Sequence, residues 1–450
     1  MKTIMQKPHL YLAQVMLWLA VFTCPALAAD DGPLLTLEDA LNMVRAQNLQ
    51  VKNADIQIDI AGDQTDAMKA NQYPELSASA RGFQNLIDNE YTFKEGSLGQ
   101  VGGNPVPSQD TEISATDGFS THYSLTAKQP LLQLYEIGLN VDKLKIEQDI
   151  ARQQARGARQ SATLQVKQLY YQILSSESSI ESTKASVAFY AELSKILKDK
   201  VAQKTELKYQ LLNAEAELAS AKHDLVSERN DITTAKQQLN SMLNRDISTP
   251  FSVSLAFADP LLRYDPATAE DQALANNPGT QEARLQVNAA KTEVDIQKTD
   301  YYPDVDLIAS YGKSGRTEFI PDESLYVGVI AKWQFITWGK NEALVDGSKR
   351  ALTQAKNSLQ ENEEQIRAQV SEDIRNLQVA QDLVPVTKLA RKAATEKLRV
   401  SFNQYKQNVI LLSDLLDAQS ELSEADDNYH QAQLGVWNAS ATLENALGEE

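Results

Sequence analysis

The 450-residue chain has a single cysteine, Cys24, and only four histidines. Cys24 lies in an N-terminal stretch where Lys2 and Lys7 precede an apolar run from Leu10 to Phe22, and Ala26-Leu27-Ala28 offers small residues for cleavage. That is the pattern of a secretory signal over residues 1–28. The competing reading is a membrane anchor, but the run falls short of the roughly 20 apolar residues a spanning helix needs. Thr23 makes Cys24 a poor lipoprotein site, so the cysteine is expected to leave with the signal, and the mature chain then has no disulfide and no cysteine-based metal site. The remaining histidines, His122, His223 and His430, are not at metal-ligand spacing. Phosphate-cradling glycine loops, a nucleophile elbow and a Walker lysine are all absent. Acid pairs such as Asp426-Asp427 and Glu363-Glu364 have no catalytic partner. No catalytic residue, cofactor or metal is expected.

Basic residues are also in deficit: 43 Lys and Arg stand against 61 Asp and Glu, for a net charge of -18. Loss of Lys2 and Lys7 takes this to about -20, which argues against nucleic acid as a partner. Long hydrophobic runs are missing too. No segment after the signal has 18 consecutive apolar residues, so any membrane-spanning part must be a β-barrel.

What the chain does contain is itself, twice. LLNAEAEL at 211–218 returns as LLDAQSEL at 415–422, and this offset of 204 residues holds from Tyr123 with Val327 to Leu239 with Leu443. A second offset, 229, pairs Asn48 with Asn277, Ala61 with Ala290, and Tyr73-Pro74 with Tyr302-Pro303. The 25-residue difference lies between Pro74 and His122, around GSLGQVGGNPVPSQDTEISATDG, a Gly/Pro/Ser-rich loop. Each half reads as helix, strand, loop, strand and a long helical hairpin. The first repeat is expected over 29–244, with strands about 75–84 and 120–132, a loop about 85–119 and a hairpin about 136–244. A linker or equatorial segment follows at 245–268. The second repeat covers 269–450, with strands about 304–313 and 324–335 and a hairpin about 339–448.

The four strands alternate. Leu76, Ala78 and Ala80 share a face, as do Tyr123, Leu125 and Ala127, while Lys128 and Lys332 point the other way. About ten residues suits a tilted transmembrane strand. Tyr73, Tyr301, Tyr302, Trp333, Phe335 and Trp338 gather at strand ends, where an aromatic girdle at the lipid interface would lie. Four strands cannot close a barrel, and an open edge cannot sit in lipid. The chain must therefore share its barrel with copies of itself.

From Leu131 to Thr249 there is no proline and only Gly138 and Gly157. Val166, Leu169, Ile173, Ile180, Val187, Tyr190, Leu197 and Val201 mark a narrow coiled-coil seam. In the return helices, large residues alternate with alanine at Leu211, Ala214, Leu218 and Ala221 and at the matching Leu415, Ala418, Leu422 and Ala425. Such spacing lets helices stand close in a curved wall. Lys204-Thr205 and Gln407-Asn408 sit where the hairpins reverse, with Asn408 the better candidate for a left-handed turn.

Taken together, LTLEDAL at 35–41 with ALANNP at 273–278, the two YP pairs, KQPLLQLYEIG at 128–138 with KWQFITWGKNE at 332–342, and the two LL[ND]A helices resemble the TolC family of outer-membrane efflux proteins. The resemblance implies a mainly α fold with membrane β, a trimer with one shared 12-stranded β-barrel and a periplasmic α-helical barrel. It also implies an exit duct of a tripartite efflux or type I secretion system, served by a periplasmic adaptor and an inner-membrane pump and seated in outer-membrane lipid. By the same resemblance, Asp414 and Asp417 form a cation-attracting ring at the periplasmic entrance, and Tyr405 takes part in closing it. Where family members carry a basic residue and an acid, this chain has Ile410 and Gln210, which leaves a Tyr405–Gln210 hydrogen bond as the expected contact. The hairpin tips Lys204, Thr205, Gln407 and Asn408 would meet the adaptor, and Tyr73, Tyr302, Trp333 and Trp338 would lie at the membrane interface. The rival readings are a periplasmic coiled-coil adaptor and a soluble scaffold.

Overall fold

The computed structural model describes residues 32–84, 86–87, 90–114, 116–254, 263–317 and 321–449. The secretory-signal stretch and part of the inter-repeat linker lie outside them. In chain order the elements are β1 (Leu34–Leu35), α1 (Leu37–Gln47), α2 (Leu49–Ala70), β2 (Glu75–Gln84), β3 (Glu90–Phe93), β4 (Gln100–Val101), β5 (Asn104–Pro105), β6 (Thr111–Ser114), β7 (Thr116–Pro130), α3 (Gln133–Ala202) and α4 (Lys208–Met242). The second half follows as β8 (Ser252–Val253), α5 (Pro266–Asn276), α6 (Pro278–Thr299), β9 (Asp304–Thr317), β10 (Glu323–Lys332), α7 (Lys340–Lys406) and α8 (Leu412–Ala446).

Each leading helix is split in two, a break the sequence reading did not anticipate. Asn48 and Asn277, one repeat apart, cause it: the Asn48 side chain accepts from the N–H groups of Gln50 and Val51, and Asn277 accepts from those of Gly279 and Thr280. Each asparagine stops one helix and caps the next. The segment expected as a loop at about 85–119 contains paired strands, β3 with β6 and β4 with β5.

Four strands form one antiparallel sheet in the order β10-β9-β7-β2. The register puts Ala78 opposite Leu125, Leu125 opposite Tyr311, and Tyr311 opposite Leu325. Leu76, Leu125, Leu325, Val327 and Val329 are all more than half exposed, so one face of the sheet is apolar and open. The other face carries polar links from strand to strand: Ser79–Ser124 at 2.8 Å, Thr126–Ser310 at 3.1 Å, His122–Ser314 at 3.0 Å and a Lys128–Asp306 ion pair at 3.0 Å. Strand β10 ends at Lys332, earlier than sequence patterning suggested. Trp338 and Gly339 adopt left-handed backbone, with φ 52 and 83, and turn the chain from sheet into α7.

Helix α3 has 70 residues and α7 has 67, roughly 100 Å each at 1.5 Å per residue. Along them α3 packs against both α4 and α8, and α8 against α7, giving the lateral order α4–α3–α8–α7. Two flanking helices require two seams. Val166, Ile173, Tyr190 and Leu197 are buried as the heptad count requires, and so are Tyr170, Leu174 and Leu193 beyond it. Ala214, Ala418 and Leu415 are fully sealed. Near the sheet-proximal half, a core of Val44, Val51, Val166, Tyr170, Leu239, Phe251 and Trp437 joins α1 and α2 to α3, α4 and α8. There β1 and β8 pair in parallel and the Tyr170 hydroxyl donates to the Leu35 carbonyl at 2.9 Å. The chain closes on α8 with Gly448 at φ 80, where a Cβ would sit 2.7 Å from the backbone of Asn276; only glycine fits that approach.

Candidate functional site: the sheet wall and the hairpin tips

Two regions carry the sequence-predicted residues. At the end of the sheet nearer the helices, Tyr73, Tyr302, Trp333 and Trp338 are 71%, 65%, 58% and 95% exposed. The Trp333 indole N–H donates to the Tyr301 carbonyl at 3.2 Å, and its ring lies 5.8 Å from that of Phe335. Amphipathic rings left open beside an open apolar sheet face suit a lipid–water boundary.

At the far end, about 100 Å away by helix length, both hairpins reverse through the same turn. Lys204 and Asn408 each have φ 58, so the left-handed residue expected at Asn408 has a lysine counterpart in the first repeat. A lysine pays roughly 1–2 kcal/mol to sit there, and Lys204 is held by the turn bonds around it, the Thr205 N–H donating to the Lys200 carbonyl at 2.9 Å.

The Tyr405–Gln210 bond does not form within the protomer. Tyr405 is 2% exposed and its hydroxyl faces Glu206 at 3.5 Å, while the Gln210 side-chain oxygen is shielded and has no donor. The reason is the helix start: Gln210 already belongs to the first turn of α4, whereas Glu206 lies in the reversing loop and reaches across. Burial, and then the Glu206 carboxylate, push the Tyr405 phenol up to about 12. Other links join the two hairpins here. Lys200 donates to the Asn408 side-chain oxygen at 2.6 Å and lies 4.4 Å over the Tyr405 ring, and Lys406 pairs with Glu192 at 3.0 Å. Sequence reasoning missed Lys200, Glu192, Glu206 and Lys406. The clue was present: both lysines stand within about one turn of a tip, Lys406 opposite Glu192 and Lys200 opposite Asn408 on the neighbouring hairpin.

Asp414 and Asp417 are both exposed near the start of α8. The Asp414 carboxylate accepts from the Leu411 N–H at 3.2 Å, so this acid also satisfies the helix start. Asp417 opens onto a groove shared with α3 and α4.

Farther up α8, His430 is 8% exposed, with Nε2 3.4 Å from the Ser182 hydroxyl and Nδ1 lacking a partner. Burial first, and then the Arg391 guanidinium, hold its pKa below the usual 6.5, with Asp426 and Asp427 opposing. The unfolded chain therefore binds a proton that the native imidazole resists. Stability rises with pH between the lowered native value and 6.5, and falls as pH drops below 6.5. His430→Gln should flatten that slope in thermal melts taken from pH 7.5 to 5.0; an unchanged slope would assign it to another group.

Among the described residues no helix is long and apolar enough to cross a membrane, and no cluster of three or more His, Cys, Asp or Glu is arranged to hold a metal. A sheet with one lipid-compatible face and one polar face, continued by a wall of roughly 100 Å helices, defines a segment of a membrane-anchored tube.

A profile of the family described as Outer membrane efflux protein matches residues 40–245 and 270–449, one match per repeat. The chain belongs to that family, lies in the outer membrane and extends into the periplasm. Over 223 residues it is 26% identical to the outer membrane efflux protein BepC of Brucella suis, spanning 49% of this chain and about half, 48%, of that relative's length. In fold it is similar to the CmeC outer membrane channel of Campylobacter jejuni, with a TM-score of 0.75 at 14% identity, covering 92% of this chain and 85% of that one. It is also similar to the outer membrane protein VceC of Vibrio cholerae, with a TM-score of 0.72 at 16% identity over 92% and 96% of the two chains.

Proposed function

We propose that three copies of this chain close into one conduit, the exit duct of a tripartite efflux or type I secretion system. The observation that carries this reading is the sheet, whose edge strands β2 and β10 have no neighbour among the described residues and whose apolar face is open. A membrane admits no unpaired edge. With an even number of strands per copy, β10 of one protomer meets β2 of the next in antiparallel sense, and three copies make a 12-stranded barrel within the known range. The helices obey the same rule. In the order α4–α3–α8–α7 directions alternate, and α7 of one copy beside α4 of the next continues the alternation. Exposed Val379, Leu383, Val386 and Leu389 on α7, and Leu212 and Val226 on α4, are the surfaces such a contact buries.

The tips at Lys204-Thr205 and Gln407-Asn408 are then the first surfaces offered to a periplasmic adaptor and to the inner-membrane pump behind it. Three copies of Asp414 and Asp417 ring the entrance and favour cations. In planar bilayers, Asp414→Asn with Asp417→Asn should lower the cation-to-anion permeability ratio severalfold and relieve block by multivalent cations. Unchanged selectivity would remove both carboxylates from the entrance. For the conduit itself, the test is fractionation: a heat-modifiable trimer in the outer membrane is expected, and a soluble monomer would end the reading.

A further inference from the structure

Along α3, between α4 and α8, runs a groove of about 510 Å³. From α4 it takes Glu217, Asp224 and Glu228, and from α8 it takes Asp417 and Asp427. None of its lining residues is lysine or arginine. A sixth acid, Asp426, is neutralised from behind by Arg391 at 2.5 Å; the other five form no ion pair among the described residues.

A second observation is independent of the charge. Tyr190 is 9% exposed, forms part of the groove wall, and has no hydrogen-bond partner for its hydroxyl among the described residues. Burial, and then the Glu217 carboxylate, push the phenol up to about 12, so it stays a protonated donor beside acids it does not bond. Glu228 is half-satisfied as well: Oε1 accepts from Thr183 at 2.8 Å and Ser179 at 3.3 Å, while Oε2 has no donor. The Glu228 Oε2 atom is a buried acceptor left unpaired, which is costly, and a guest bearing N–H donors relieves it, with the Tyr190 hydroxyl oxygen available as a further acceptor.

The arrangement discriminates between guests. Glu217 to Glu228 and Asp417 to Asp427 are 11 and 10 residues apart on their helices, roughly 15 Å of rise. A single metal ion needs several oxygens within about 2.5 Å, and no cluster of three acids has that spacing among the described residues. A linear chain of ammonium groups separated by methylenes matches two rows of spaced carboxylates, serine and threonine acceptors, and an aromatic ring for cation–π contact.

We infer that this groove binds a linear polyamine. The site is complete within one protomer, and in the conduit proposed above it opens on the same side as Asp417. The experiment is isothermal titration of the full-chain protein in detergent with spermine, at fixed ionic strength, with magnesium as competitor. Saturable binding is expected, weakened about tenfold in Glu217→Gln/Glu228→Gln/Asp427→Asn and about threefold in Tyr190→Phe, which keeps the ring. Glu361→Gln, an exposed acid on α7 away from both the groove and the entrance, should bind as the wild type does. Equal affinity in the triple variant, or displacement of spermine by magnesium at matched ionic strength, would reduce the effect to diffuse attraction and overturn the site. If the triple variant fails to fold by circular dichroism, unchanged affinity in both Tyr190→Phe and Asp224→Asn overturns it instead. Neither readout depends on trimer formation or conductance, so the conduit stands or falls separately.

Discussion

Leu125→Arg should abolish the heat-modifiable trimer in outer-membrane fractions, whereas Thr126→Arg, one residue along, should leave most of it intact. Both residues lie well inside the 15-residue strand β7. Leu125 is 56% exposed on the open apolar face, between Ala78 and Tyr311 of its neighbours. An arginine facing lipid near mid-depth costs about 2–4 kcal/mol, and a trimer incurs it three times. Thr126 faces the other way and bonds Ser310 at 3.1 Å. Its loss forfeits about 1 kcal/mol, and the new cation enters a polar surface that already holds Lys128 and Asp306. Equal tolerance of both variants would mean that the faces are not divided between lipid and water.

The second large effect lies at the opposite end. Leu415→Ala is expected to destabilise the tip region by about 2–5 kcal/mol, the range for emptying a sealed leucine site. Leu415 is fully buried in a cluster with Tyr190, Leu193, Leu197, Ala214, Tyr405 and Leu412, where the two hairpins of one protomer meet. Hydrogen exchange over residues 400–420 should quicken sharply while the sheet keeps its protection. Leu411→Ala is the control, since Leu411 is 69% exposed, and such positions shift stability by no more than about 0.5 kcal/mol. If both variants exchange alike, the cluster does not hold the hairpins together.

The fold class was legible because the chain is written twice. Two offsets located the duplicated units and the insertion, and alternation at Leu76, Ala78 and Ala80 marked a sheet face that pairing then joined to Leu125 and Tyr311. What periodicity alone could not deliver was anything set by two neighbours at once. The single heptad seam on α3 omitted Tyr170, Leu174 and Leu193 because that helix is packed from both sides. The break at Asn48 was missed because a side-chain cap interrupts that helix with no proline or glycine beside it; at Asn277 the signal was present, since Pro278 opens the next helix, and it was not read as a break. At the tip, position-by-position transfer from the resemblance selected Gln210, whereas the hydroxyl of Tyr405 turns to Glu206, a loop residue whose reach depends on where α4 starts. Asp414 and Asp417 were selected by the resemblance, but the backbone bond from Leu411 to Asp414 depends on a helix boundary that composition does not announce.

The insertion between β2 and β7 has no counterpart between β9 and β10. In the trimer proposed above, the helical tube has six hairpins nearly alike in circumference, beneath an outer mouth decorated at only three alternate positions. An antibody or phage fibre arriving from the medium would count to three, while anything that grips the duplicated helices from below meets six near-equal handholds, so the assembly changes its apparent symmetry from one side of the envelope to the other.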